Sequence, residues 1–110
     1  MIYVFLADGF EEVEALTPVD YLRRCELSVQ TVGVTGKLVR GSHGITVQAD
    51  ILPEEMDPGK VQMIVLPGGM PGTLNLEHSA ADLNMIDYCV DRQIPIGAIC
   101  AAPSILVRKG

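Results

Sequence analysis

The run Ile2-Tyr3-Val4-Phe5-Leu6-Ala7 is apolar at almost every position and stops at once at Asp8. A strand with one wet face alternates polar and apolar residues, whereas a strand covered on both faces reads as a continuous apolar run. This segment therefore predicts an interior strand of a mostly parallel sheet with helices on both sides. The pattern that follows is consistent with that demand. Asp8 with Glu11 resembles a capping box, opening a helix that runs to about Cys25. Thr17-Pro18-Val19-Asp20 repeats start-like chemistry inside it and predicts a kink or break there. Leu27–Val34 reads as a second strand. Gly33, Gly36, Gly41 and Gly44 punctuate the next stretch, in which Lys37–Arg40 and Ile45–Gln48 read as the arms of a hairpin.

Pro53–Lys60 is a polar connection. Val61–Leu66 is a strand leading into Pro67-Gly68-Gly69-Met70-Pro71-Gly72. Ser79 and Asp82 suit a helix start, with Leu83, Ile86 and Val90 at helical spacing on one face. Ile94–Ile99 is a last strand, Ala101–Arg108 a last helix, and Gly110 sits where a C-cap glycine belongs. The order β-α-β, hairpin, β-α-β-α implies an α/β fold with a mostly parallel sheet between helical layers. Ligands of such sheets bind at the carboxyl ends of the strands. Three segments converge on that edge: the turn after Ala7, the loop after Leu66 and the turn at Cys100.

The chain has 110 residues, the length of one small domain, and nearly half are apolar. Its formal charge of -6 argues against nucleic acid and anionic membranes as partners. No stretch approaches the roughly 18 apolar residues of a membrane span. The N-terminal run lacks a basic lead and reads as a strand, not a signal peptide. Three cysteines in no metal or disulfide spacing suggest a reducing, cytoplasmic setting.

Several residues carry possible chemistry. Cys100 ends an apolar run and is followed by small residues, as at a strand-to-helix turn with a thiol at its apex. A helix N-terminus there would favour the thiolate, making Cys100 a nucleophile or redox centre; the alternative is a small buried core residue. Cys25 and Cys89, beside helical apolar positions, read as packing residues. Glu11, Glu12 and Glu14 crowd the first turns of a helix, usually a solvated face, and spacing alone does not single out Glu14. Gly68 and Gly69 either form an ordinary turn or let backbone N–H groups approach an oxyanion. His43 and His78 have no second ligand at metal spacing, so no metal is expected.

Together, Ala7-Asp8-Gly9-Phe10-Glu11-Glu12-Val13-Glu14, Pro18-Val19-Asp20 with Arg23-Arg24, Val65-Leu66-Pro67-Gly68-Gly69 and Ala98-Ile99-Cys100-Ala101-Ala102-Pro103 resemble the ThiJ/PfpI superfamily. The resemblance is to the branch holding the parkinsonism-associated deglycase and bacterial thiazole-biosynthesis proteins, and it spans almost the whole chain. It implies a flavodoxin-like, class I glutamine amidotransferase-like three-layer sandwich. It places Cys100 at the family's nucleophile position and Glu14 as the carboxyl that bonds its sulfur. It matches the amides of Gly69 and Ala101 to the family's oxyanion-binding groups. It also implies a homodimer, with Glu11, Arg24 and His43 as interface residues; His43 stands where some relatives carry arginine.

Members of that family continue beyond the segment matched here, and a histidine near the cysteine comes from the later part. Residues 1–110 therefore read as one incomplete domain, with a complementary C-terminal fragment expected on another chain or segment. Three functions follow from the resemblance. The first is a cofactor-independent glyoxalase or deglycase acting on small reactive carbonyls through Cys100. The second is an oxidative-stress sensor in which Cys100 is oxidised without turnover. The third is glutaminase- or peptidase-like hydrolysis, which needs the later histidine.

Overall fold

The computed structural model describes residues 1–68 and 80–98. The order is β1 (Ile2–Leu6), α1 (Glu12–Arg24), β2 (Val29–Gly33), β3 (Leu38–Arg40), β4 (Thr46–Gln48), β5 (Met63–Leu66), α2 (Ala80–Asp91) and β6 (Ile96–Ala98). Strands β2-β1-β5-β6 form one sheet in that order, every neighbouring pair parallel. Strands β3 and β4 make a separate antiparallel hairpin, as the glycine punctuation predicts. Pro53–Glu55 and Pro58–Lys60 are single turns of 3-10 helix within the polar connection.

The continuous apolar run has its expected cause. Every residue of β1 is buried, and its side chains divide between two cores. Tyr3 and Phe5 face one core with Ile64, Leu66 and the Met85, Ile86 and Cys89 side chains of α2. Ile2, Val4 and Leu6 face the other, with Ala15 and Val19 of α1 and Val39 of the hairpin. The sheet is thus covered on both faces, and the fold is the three-layer α/β sandwich. The outer edge of β2 is partly closed by a parallel bridge from Val32 to Ile51.

Several local expectations are corrected. The N-cap of α1 is Glu11, whose carboxylate accepts the Glu14 N–H at 2.9 Å. Asp8 does not cap; its carboxylate accepts the Arg40 N–H at 3.1 Å, because the chain after β1 runs beside the hairpin before turning into the helix. The helix passes through Pro18 unbroken. Val90 is exposed, and Met85, Ile86 and Cys89 carry the inward stripe of α2, rotated from the one read in the sequence. Cys89 is a packing residue as expected, but Cys25 is exposed at the C-cap of α1. Both helices end in a residue with positive φ that is not glycine, Glu26 (62°) and Gln93 (58°). In each, the next N–H reaches back to a carbonyl five residues earlier: Leu27 to Leu22 at 3.2 Å, Ile94 to Cys89 at 2.8 Å. That is the Schellman closure. The Ser79 cap, the Ala101–Arg108 helix and Gly110 lie outside the described residues.

Candidate functional site

Strand β1 leads through α1 to β2 on one side of it, while β5 on its other side leads through α2 to β6. The direction of winding reverses between β1 and β5, and a crevice opens at the carboxyl ends of strands at such a point. The first turn of α1 lies across this opening. Its position is fixed from both sides by backbone hydrogen bonds.

On the β5 side, the Glu11 N–H donates to the Gly68 carbonyl at 2.9 Å, and the Gly68 N–H donates to Glu14 Oε1 at 3.2 Å. Gly68 is buried and Glu14 half-buried. Glu14 and Gly68, two of the residues singled out in the sequence, therefore meet. The register pairs Leu66 with Ala98, so β5 and β6 end at the same level of the sheet. Gly68 follows Leu66 by two positions, as Cys100 follows Ala98. Cys100, Gly69 and Ala101 lie outside the described residues.

On the hairpin side, the Gly9 N–H donates to the Arg40 carbonyl at 2.8 Å and the Ser42 N–H to the Phe10 carbonyl at 2.8 Å. Glu12 then turns into the hairpin and is 5% exposed. Its Oε2 accepts the backbone N–H of His43 at 2.9 Å and of Ile45 at 3.3 Å. Its Oε1 faces the His43 ring, with Nδ1 at 2.9 Å. A carboxylate only accepts, so Nδ1 carries the hydrogen. Burial by itself raises the Glu12 pKa, but the bonds from the His43 ring and from backbone N–H groups outweigh it, and the carboxyl is held at about 2. The same contact raises the His43 pKa, through the hydrogen bond to Glu12 and then its charge.

The reading of the three acids as a solvated face is thus wrong for Glu12. Its burial depends on a turn some thirty residues away, with Gly41 as the one local clue. A Cβ on Gly41 would stand 2.4 Å from the Glu12 carboxylate, so only glycine leaves room there. Glu11 lies between the two sides: its Oε1 is 3.5 Å from His43 Nδ1. Oxygen and nitrogen atoms of Glu11, Glu12 and His43 lie within 4.8 Å of one another. They engage each other and nearby backbone N–H groups, and form a hydrogen-bonded clasp. Arg24 stands at the far end of α1, paired with Asp20 at 3.0 Å, and the structure does not bring it to Glu11 or His43. His78 lies outside the described residues.

A family model described as the DJ-1/PfpI family matches residues 1–110. The chain belongs to the DJ-1/PfpI family. It is 36% identical over 109 residues to the Parkinson disease protein 7 homolog of Danio rerio, covering 97% of this chain and 58% of that protein. It is 35% identical over 106 residues to protein DJ-1 homolog B of Arabidopsis thaliana, covering 96% of this chain and 24% of that one. Against a protein of Thermococcus kodakarensis named a deglycase it is 29% identical over 110 residues, covering 99% and 65%. Among solved structures, Toxoplasma gondii DJ-1 in an oxidized form superposes with a TM-score of 0.94 at 35% identity, covering 99% of this chain and 60% of that one. This DJ-1/PfpI chain thus spans less than two thirds of the length of each of these relatives. Among the described residues, no helix is long and apolar enough to cross a membrane.

Proposed function

We propose that the whole protein is a cysteine-dependent, cofactor-independent hydrolase of reactive carbonyls, of the glyoxalase or deglycase kind. The observation that carries this reading is the Glu14–Gly68 hydrogen bond at the carboxyl end of β5, level with the end of β6, from which Cys100 is two residues away. The deglycase name of the Thermococcus kodakarensis relative adds support. In this reading the Cys100 thiolate adds to the aldehyde carbon of a substrate such as methylglyoxal, or to an early adduct of it on a protein. The carbonyl π pair moves onto oxygen, where the Gly69 and Ala101 amides would hold the oxyanion. The oxyanion takes up a proton to give a hemithioacetal, Glu14 moves the proton on its former aldehyde carbon to the neighbouring ketone carbon, and the resulting lactoyl thioester is hydrolysed by water to lactate and the Cys100 thiolate. The test is turnover of methylglyoxal by the complete protein and its Cys100→Ser variant. Loss of turnover supports the reading; equal rates remove Cys100 from the chemistry.

A second reading is favoured by the oxidized state of the Toxoplasma gondii structure. A peroxide would convert the Cys100 thiolate to a sulfenic and then a sulfinic acid, with Glu14 and backbone amides holding the oxygens. Site-resolved mass measurement after mild peroxide separates this from incidental oxidation of the exposed Cys25. Oxidation of Cys25 ahead of Cys100 rejects it. Glutaminase- or peptidase-like hydrolysis is a third reading, and a catalytic histidine outside these 110 residues would be required for it.

For assembly, we propose a homodimer through α1 and the hairpin, with Glu11, Arg24 and His43 at its margin. Support comes from Val13, Leu38 and Ile45, which are apolar and exposed on these elements. A Val13→Asp variant that keeps the wild-type mass in light scattering rejects this surface.

A further inference from the structure

We propose that Glu12 and His43 form a proton-operated latch on the Glu14–Gly68 site: protonated His43 holds the Gly41–Ile45 turn and the first turn of α1 together, and loss of its proton loosens Glu14 from Gly68. This rests on the reading of Glu14 and Gly68 as part of a functional site.

The latch is built from contacts already in place. Glu12 is anchored by two backbone N–H groups of the turn, in the space that Gly41, having no Cβ, leaves for its carboxylate. The His43 side chain is 69% exposed in the single chain. It lies between two carboxylates, Glu12 Oε1 at 2.9 Å and Glu11 Oε1 at 3.5 Å. Other charged groups beside this turn are Arg40, whose Nη2 is 3.5 Å from where a Cβ of Gly44 would stand, and Asp8, whose carboxylate accepts the Arg40 N–H at 3.1 Å. The Ser42 hydroxyl also approaches Nδ1, at 3.2 Å.

Glu11 is the connecting part. One residue touches His43 through Oε1, caps Glu14 through Oε2 and donates its N–H to Gly68. With His43 charged, a cation sits between the two carboxylates. With His43 neutral, Glu11 and Glu12 repel across an uncharged ring, at distances where like charges in a partly buried site interact strongly. Glu12 is fixed by the turn, so Glu11 is the one that yields. Its displacement lengthens the bonds that hold Glu14 to Gly68. Since contact with the carboxylates raises the His43 pKa above 6.5, the latch is closed below that value and opens as pH rises through the folded-state pKa.

The experiment is NMR on the isotope-labelled complete protein from about pH 5.5 to about pH 9, the range in which an imidazole titrates. The Gly68 amide shift is expected to show a step with the same midpoint as the His43 ring. In His43→Gln, which donates a hydrogen bond but does not titrate, that step is lost. In Glu11→Gln the His43 midpoint falls and the Gly68 step shrinks. A Gly68 amide with no step at the His43 midpoint, or a step that survives in His43→Gln, overturns the latch. The same titration in Cys100→Ser keeps the two questions apart: the Gly68 step persists there whether or not Cys100 carries the chemistry.

Discussion

The first turn of α1 has two sides, and they hold carboxylates in opposite ways. On the hairpin side, Glu12 is buried and meets N–H groups from two backbone positions and one ring. On the β5 side, Glu14, one half-turn later, is half-buried and receives the Gly68 N–H at 3.2 Å. A buried carboxylate surrounded by donors is stable as an anion and poor at moving protons. A half-buried one at a crevice is placed to exchange a proton with a ligand. Two residues apart on one helix, the pair separates a structural anchor from a candidate proton carrier.

The sharpest way to break this contrast is Gly41→Ala. The added methyl must displace the Glu12 carboxylate or the turn, and overpacking of this kind costs about 3 kcal/mol. Thermal melting should show it, and a melting point equal to wild type would mean the turn adapts freely. Next is Glu14→Gln, expected to lower methylglyoxal turnover about 100-fold, the usual effect of removing a proton-transfer group. Its melting point should stay within a few degrees of wild type, because a side-chain amide oxygen still accepts the Gly68 N–H; a large loss of stability with normal turnover would reverse the assignment of roles.

Acid sharpens the same comparison. The Glu12 pKa is lowered from 4.5 in the unfolded chain to about 2 in the fold. Its contribution to stability is therefore present above 4.5 and is lost as pH falls through about 2. Glu12→Gln should flatten the acid limb of the melting-point curve. His43 acts in the other direction, contributing below its ordinary 6.5 and fading as pH rises past its raised folded value. The melting-point gap between wild type and His43→Gln should thus narrow from mildly acid to alkaline solution. The smallest effect is expected at the far end of the helix. Glu26→Gly relieves a left-handed conformation and should add about 0.5–1 kcal/mol, read from denaturant midpoints.

The strands were legible because their cause is local: Ile2–Ala7 must be apolar throughout if both faces are covered. The hairpin was legible from its glycines. The inward stripe of α2 was harder, since Val90 and Cys89 differ by one step of rotation and only packing against Ile64 and Leu66 selects the latter. Glu12 was not legible, because its donors come from the turn at Ser42–Ile45 and nothing in the helix sequence records them. Glu14 stood between these cases. Helical spacing could not separate it from Glu11, the family pattern singled it out, and the hydrogen bond to Gly68 gives that choice a geometry.

The position of β1 also sets a schedule for the growing chain. Its central place in the sheet means that it waits for both neighbours: Ile2 pairs with Val29 on one side and with Met63 on the other, 61 positions further along. At the usual pace of translation, about 5–20 residues per second, that interval lasts about 3–12 s. Throughout it, an edge made of Tyr3, Val4 and Phe5 lacks the strand that will cover it. Nascent-chain binding factors are most useful to this protein during those seconds, and slow codons between β2 and β5 would lengthen the interval in which it aggregates.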